Sequence, residues 1–202
     1  MLKRLIFLFL IFISFSVHAQ TFGGYPPAQK WNNIRIPSAR IIFPKGWDST
    51  AIRVASLIES IKNLKDSSIG TKQLPINIVL QHGTTQSNGY VALAPFRSEF
   101  MMAPPANPFE LGSLAWTDQL ALHEFRHVQQ YSNFNRGLAK VFRIALGQQG
   151  QAFANALTIP DWFFEGDAVF QETWLSEQGR GRMPSFFNAY RAIWESGNET
   201  VI

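Results

Sequence analysis

The residues best suited to chemistry are His123-Glu124-Phe125-Arg126-His127, a His-Glu-x-x-His pattern. On a helix, residues four apart share a face and lie about one turn from each other. Both imidazoles then reach a single ion. Glu124 stands one residue round from His123, beside the ion without binding it. In that place a glutamate can take a proton from a metal-activated water. Leu120, Leu122, Phe125 and Val128 interleave the polar residues, so the helix is expected to be buried. Titratable groups on a buried helix need partners, and a metal ion suits two histidines. The plainer alternative is a surface helix whose polar face happens to carry these residues.

A zinc peptidase site needs a third protein ligand. The metzincin spacing would place Gly and His where Gln130 and Asn133 stand, so that class is excluded. His82 lies in a Gly/Thr loop and reads as a surface residue. Glu165 is the better candidate. It lies in Pro160-Asp161-Trp162-Phe163-Phe164-Glu165-Gly166-Asp167-Ala168, on a helix expected to be buried, where a Glu needs a cation or hydrogen bonds. Gly166 and Ala168 lack bulk and would let two helices approach closely. The alternative is a helix-start Glu favoured by the helix dipole, worth a few tenths to about 1 kcal/mol. The expected set is therefore Zn2+ on His123, His127 and Glu165, with the fourth position left to water. Glu172 returns to nearly the same helix face as Glu165. It is a candidate to orient a ligand His or to pair with Arg126, and Asp167 is a candidate for the same work. A solvated helix carboxylate is the plainer reading of each. Tyr131 and Tyr190 are candidates to donate to an oxyanion, although packing is the commoner fate of a Tyr. Trp162-Phe163-Phe164 reads as core.

His-Glu-Phe-Arg-His followed by Trp-Phe-Phe-Glu-Gly-Asp-Ala resembles the gluzincin metallopeptidases, and looks most like the peptidase-MA-like domains of exported bacterial proteins. The resemblance spans roughly residues 35–200, with its specific motifs near 113–131 and 160–172. It implies a zincin-like fold: a small N-terminal sheet whose edge strand pairs with substrate, an active-site helix, and a helical C-terminal part. It also implies peptide-bond hydrolysis with Glu124 as general base, and a further domain such as a β-propeller after this one. Val169 stands where the thermolysin-like pattern has an Asp, so that subtype is not supported. The rival reading is a non-catalytic binding or structural module on the same fold. The presence of Glu124 weighs against it, since a purely structural metal site does not need a base.

The elements that must carry these residues read as α+β. Ala39 to Pro44 and Ile76 to Leu80 are expected strands, with shorter ones at Tyr90 to Ala94 and Phe100 to Met102 flanking Pro95. Asp48 to Thr50 offers N-cap chemistry for a helix whose Val54, Leu57, Ile58 and Ile61 share one face. Helices follow from about Leu114 to Tyr131, Gly137 to Leu157, Pro160 to Glu177 and Phe186 to Ile193.

Residues 1–19 read as a signal peptide: Lys3 and Arg4, an apolar run from Leu5 to Val17, then Val17-His18-Ala19 as a cleavage site. The run is short for a bilayer span, which takes about 17–25 residues. The chain is thus expected to be exported, to the periplasm, cell surface or medium, with no stable span after cleavage. Residues 20–34 read as an extended lead-in, and 35–202 as the peptidase domain, truncated at its C-terminus. Lys3 and Arg4 leave with the leader, so the formal net charge falls from +4 to +2. No Lys/Arg stripe remains, which argues against nucleic acid and leaves a peptide or protein as the expected partner. Cysteine is absent, so an exported domain must rest on its core, a metal, or both.

Overall fold

The computed structural model describes residues 25–64, 68–107 and 111–197, and the expected signal peptide lies outside them. The chain is α+β. In order come β1 (Trp31–Arg35), β2 (Ala39–Pro44), α1 (Asp48–Asn63), β3 (Ile76–Gln81), β4 (Gly89–Leu93) and β5 (Phe96–Met101). Helices then take over: α2 (Trp116–Asn133), α3 (Gly137–Thr158), α4 (Asp161–Leu175), two 3-10 turns (Arg180–Arg182 and Pro184–Phe187) and α5 (Asn188–Ser196).

The strands form one mixed sheet in the order β1-β2-β3-β5-β4. β1 runs antiparallel to β2, and β4 antiparallel to β5. The inner pairs, β2 with β3 and β3 with β5, are parallel. The β2–α1–β3 crossover lays α1 on one face of the sheet, as a parallel pair requires. Alternation on the strands sends Ile41, Phe43, Ile76, Ile78, Leu80 and Phe100 into a core shared with Val54, Ile58 and Ile61 of α1. Leu120, Leu122, Phe125 and Val128 of α2 enter the same core, each burial worth roughly 1.5–3 kcal/mol. The motif helix is thereby one wall of the main core.

Both ends of α2 are pinned. At its start the Trp116 indole donates to the Met101 carbonyl at the end of β5, at 2.8 Å. At its end Asn133 Nδ2 donates to the Lys72 carbonyl (2.9 Å), its Oδ1 accepts from Lys72 N–H (3.0 Å), and Ser132 Oγ accepts from Leu74 N–H (3.1 Å). These bonds tie the helix to the segment leading into β3.

Several elements differ from expectation. Part of the lead-in is β1, an edge strand whose Asn32 and Asn33 mask its strand character. Trp47 occupies the α1 N-cap with no side-chain cap bond, and Asp48 instead lies in the first turn, favourable to the dipole. β5 begins at Phe96, directly after a tight turn at the cis Ala94–Pro95 bond. α3 is broken at Gly147, whose φ of 67° and ψ of −148° suit only glycine. Across that break the Phe142 and Phe153 rings pack at 5.9 Å.

Candidate metal centre

α2 presents His123 and His127 one turn apart toward α4. Their Nε2 atoms lie 3.3 Å from each other and their rings meet edge-on at 4.9 Å. Glu165 arrives from the second turn of α4. Its Oε2 is 3.3 Å from His123 Nε2 and its Oε1 is 3.5 Å from His127 Nε2. One ligand atom from each residue falls within 4.8 Å of the other two, so the three can hold one metal ion. The donor set, two imidazoles and a carboxylate, suits zinc chemistry.

The outer ring nitrogens are engaged. His127 Nδ1 is 2.8 Å from Gln130 Oε1. The Gln130 amide NH2 donates to the Phe164 carbonyl (2.9 Å) and to Asp167 Oδ2 (2.7 Å), two groups that only accept. The amide oxygen must therefore face His127, so His127 Nδ1 donates and the Nε2 lone pair points to the centre. Asp167 also receives Arg126 through Nε (2.7 Å) and Nη2 (2.9 Å). Asp167 thus acts on His127 through Gln130 and anchors α4 to α2 through the buried Arg126.

His123 Nδ1 faces Glu172 Oε2 at 3.5 Å and Arg180 Nη2 at 3.1 Å. Glu172 is fully buried and is held by Arg180, through its backbone N–H (3.0 Å) and its guanidinium (2.9 Å to Oε2). Of the two alternatives for Glu172, it faces a candidate ligand His and does not pair with Arg126, because Arg126 turns to Asp167 and Arg180 reaches Glu172 from the 3-10 turn after α4.

Glu124 is 5% exposed, and its Oε2 has no hydrogen-bond partner among the described residues. Gly89 of β4 makes room for it: a Cβ there would lie 2.7 Å from Glu124 Oε1 and 2.6 Å from Leu120 Cδ2. Burial pushes the Glu124 carboxyl up to about 7, against the pull of His123. Burial also acts on His123, but hydrogen bonds to Glu165 and Glu172 outweigh it and raise the imidazole to about 9. His127 is lowered by burial. The hydrogen bond to His123 holds Glu165 below the ordinary carboxylate range. Burial opposes ionisation of Glu172, yet His123 and Arg180 hold it low as well. The site therefore separates its carboxylates: Glu124 is poised near neutrality, and Glu165 and Glu172 stay ionised.

His123, Glu124, His127, Glu165 and Arg180 line a cavity of about 610 Å³. Gly89–Leu93 of β4 line one side, and Ala152, Asn155 and Ala156 of α3 also line it. Among the described residues β4 is the sheet edge, so its outer backbone groups have no neighbouring strand there.

Tyr131 lines the cavity and packs against Phe164 with ring centroids 5.6 Å apart. Tyr190 is 71% exposed on α5 and is not among the cavity-lining residues. His82 stacks on Tyr25 at 5.2 Å and near Trp47 at 5.7 Å, and it is not part of the candidate metal group. Trp162, expected in the core, is 75% exposed, whereas Phe164 is buried. Glu165, expected to be buried, has a side chain 64% exposed. Nothing lies within 4 Å of a Cβ at Gly166, so the close approach of α4 to α2 rests on the fully buried Ala168.

Three residues of the site carried no clear sequence signal. Gln130 lies seven after His123 and three after His127, a spacing from which it reaches back to the second imidazole. Arg180 sits in a Gly-Arg-Gly-Arg stretch that reads only as a helix stop, and Gly89 reads only as a turn residue. No family model, curated protein or solved structure matches this chain.

Proposed function

We propose that this chain is a zinc-dependent peptidase of gluzincin type. The observation that carries the reading is the convergence of His123, His127 and Glu165 on one point, with the buried, unpartnered carboxylate of Glu124 beside it. His123 and His127 would hold the metal through Nε2 and Glu165 through its carboxylate. Zinc bound there supplies a Lewis acid for the scissile carbonyl and makes a water acidic enough to lose its proton near neutral pH.

The chain's own residues account for the rest. Glu124 accepts the proton of the attacking water and returns it to the leaving amine, a task suited to a buried carboxylate with an oxygen that no neighbour among the described residues engages. Glu172 and Gln130 fix the two imidazoles by their outer nitrogens. An extended peptide adds to the free edge of β4, whose backbone supplies hydrogen bonds independent of side-chain sequence. Tyr131, at the cavity wall, is a candidate donor to the developing oxyanion.

Glu124→Gln tests this reading. The variant should retain zinc and its melting temperature but lose hydrolysis of an unstructured protein such as casein by at least about 100-fold. Equal activity in both forms removes Glu124 as the base. Zinc binding with no cleavage by the natural chain would favour the rival, a metal-holding binding module.

A further inference from the structure

Asn155 is 2% exposed, yet neither its Oδ1 nor its Nδ2 has a hydrogen-bond partner among the described residues. A buried amide left unpaired costs about 1–3 kcal/mol, so such a group calls for an explanation. Asn155 belongs to the second half of α3, which packs near β4, and it lines the cavity that Gly89–Leu93 also line. Ala152 and Ala156 are small residues on that same wall.

We infer that Asn155 is a substrate-binding residue whose side-chain amide pairs with a backbone peptide group of an extended chain lying between β4 and α3. The inference rests on the peptidase reading and names the far wall of its groove. A chain added to the edge of β4 satisfies only one of its own edges there, and its other edge faces α3. An Asn amide offers one acceptor and two donor hydrogens, which match the N–H and C=O of a single residue. No hydrogen bond holds the amide in its present rotamer, so turning it out toward the cavity breaks none. The small Ala152 and Ala156 leave space for a backbone to come near. Recognition of this kind does not depend on side-chain sequence, so Asn155 would add affinity for extended chains in general.

Asn155→Leu keeps the branched shape with a modest gain in volume and removes the amide. For the zinc-loaded chain acting on fluorescently labelled β-casein, KM should rise roughly two- to tenfold, the span of one or two net hydrogen bonds. The kcat value and zinc content should stay close to those of the natural chain. The melting temperature should stay level or rise, because an unpaired buried amide has been replaced by an apolar group. A structural role predicts the reverse: a lower melting temperature with KM unchanged. Either of those results overturns the inference. A separate binding measurement distinguishes its failure from that of the peptidase reading. Zinc-loaded Glu124→Gln protein is titrated into labelled β-casein and followed by fluorescence anisotropy, with and without Asn155→Leu. Weaker binding in the double variant supports Asn155 as a peptide contact even if the natural chain cleaves nothing. Unchanged binding, or no binding by either form, overturns it.

Discussion

Among the described residues up to Asn133, Ile52 and Leu64 are the large apolar side chains left exposed. From Leu138 onward the exposed ones include Val141, Ile144, Phe153, Trp162, Phe170, Trp174 and Trp194. The candidate metal centre draws on both regions. The sheet with α1 and α2 supplies His123, Glu124 and His127 from a helix built into the main core and pinned at both ends. The helices after it supply Glu165, from an α4 whose buried residues are Phe164, Ala168, Gln171 and Glu172. The difference shows in the ligands: the histidine side chains are each 10% exposed, and that of Glu165 is 64% exposed. Two candidate ligands and the proposed base are thus fixed by the core. The third depends on how well α4 is held on α2, through the Arg126–Asp167 pair and the Gln130 bonds to the Phe164 carbonyl and Asp167.

The largest effect should come from the core side. His123→Ala or His127→Ala should abolish zinc binding, measured by metal analysis after dialysis. Glu165→Ala should keep some affinity but lose more than the roughly 10- to 100-fold that outer-shell changes cost. Equal losses for all three would erase the contrast between the two regions. Asp167→Ala should come next. It takes the bidentate carboxylate from a guanidinium whose side chain is 1% exposed, and removing one partner of a buried pair costs about 3–5 kcal/mol, read as a fall in melting temperature. Glu172→Gln and Gln130→Leu should each weaken zinc by about 10- to 100-fold through the imidazole they orient.

A pH experiment sharpens the same contrast. In protein stripped of metal by a chelator, His123 is raised to about 9 by Glu165 and Glu172. Its unfolded value is about 6.5, so its contribution to stability is complete below about 6.5 and fades as pH rises through about 9. Zinc needs the neutral ring, so binding at pH 7.5 should release about one proton from His123 in addition to what a zinc-bound water loses, and the total should exceed one, seen by calorimetry in buffers of different ionisation heat. His127, lowered by burial, should add none. The smallest effect should be at the exposed surface of α4: Trp162→Ala should change stability by no more than about 0.5 kcal/mol.

What the sequence made legible follows from where local pattern decides structure. β2 and β3 were readable because their alternating Ile, Val, Leu and Phe match a half-buried strand. The ligand histidines were readable because helix periodicity alone brings residues four apart together. β1 was not, since an Asn-rich edge strand gains its pairing from β2 and not from its own composition. The break at Gly147 depends on packing of the two halves of α3, which periodicity does not encode. Asp167 and Glu172 were readable as candidates to pair with Arg126 or to orient a ligand His, and Asp167 does meet Arg126 while Glu172 faces His123, but their further partners Gln130 and Arg180 were not. Arg126, Gln130 and Arg180 are 41, 37 and 8 positions from the carboxylates they meet, and tertiary approach alone unites the first two pairs. The aromatic run before Glu165 misled for a related reason: on a helix only one face is buried, and Phe164 takes it while Trp162 points outward.

The central claim is that one metal ion sits between α2 and α4, and its most direct test is an anomalous difference map at the zinc edge from crystals of the zinc-loaded chain. The account predicts one strong peak at about 2.0–2.2 Å from His123 Nε2, His127 Nε2 and a Glu165 carboxylate oxygen. A peak at His82, or none between α2 and α4, would contradict it.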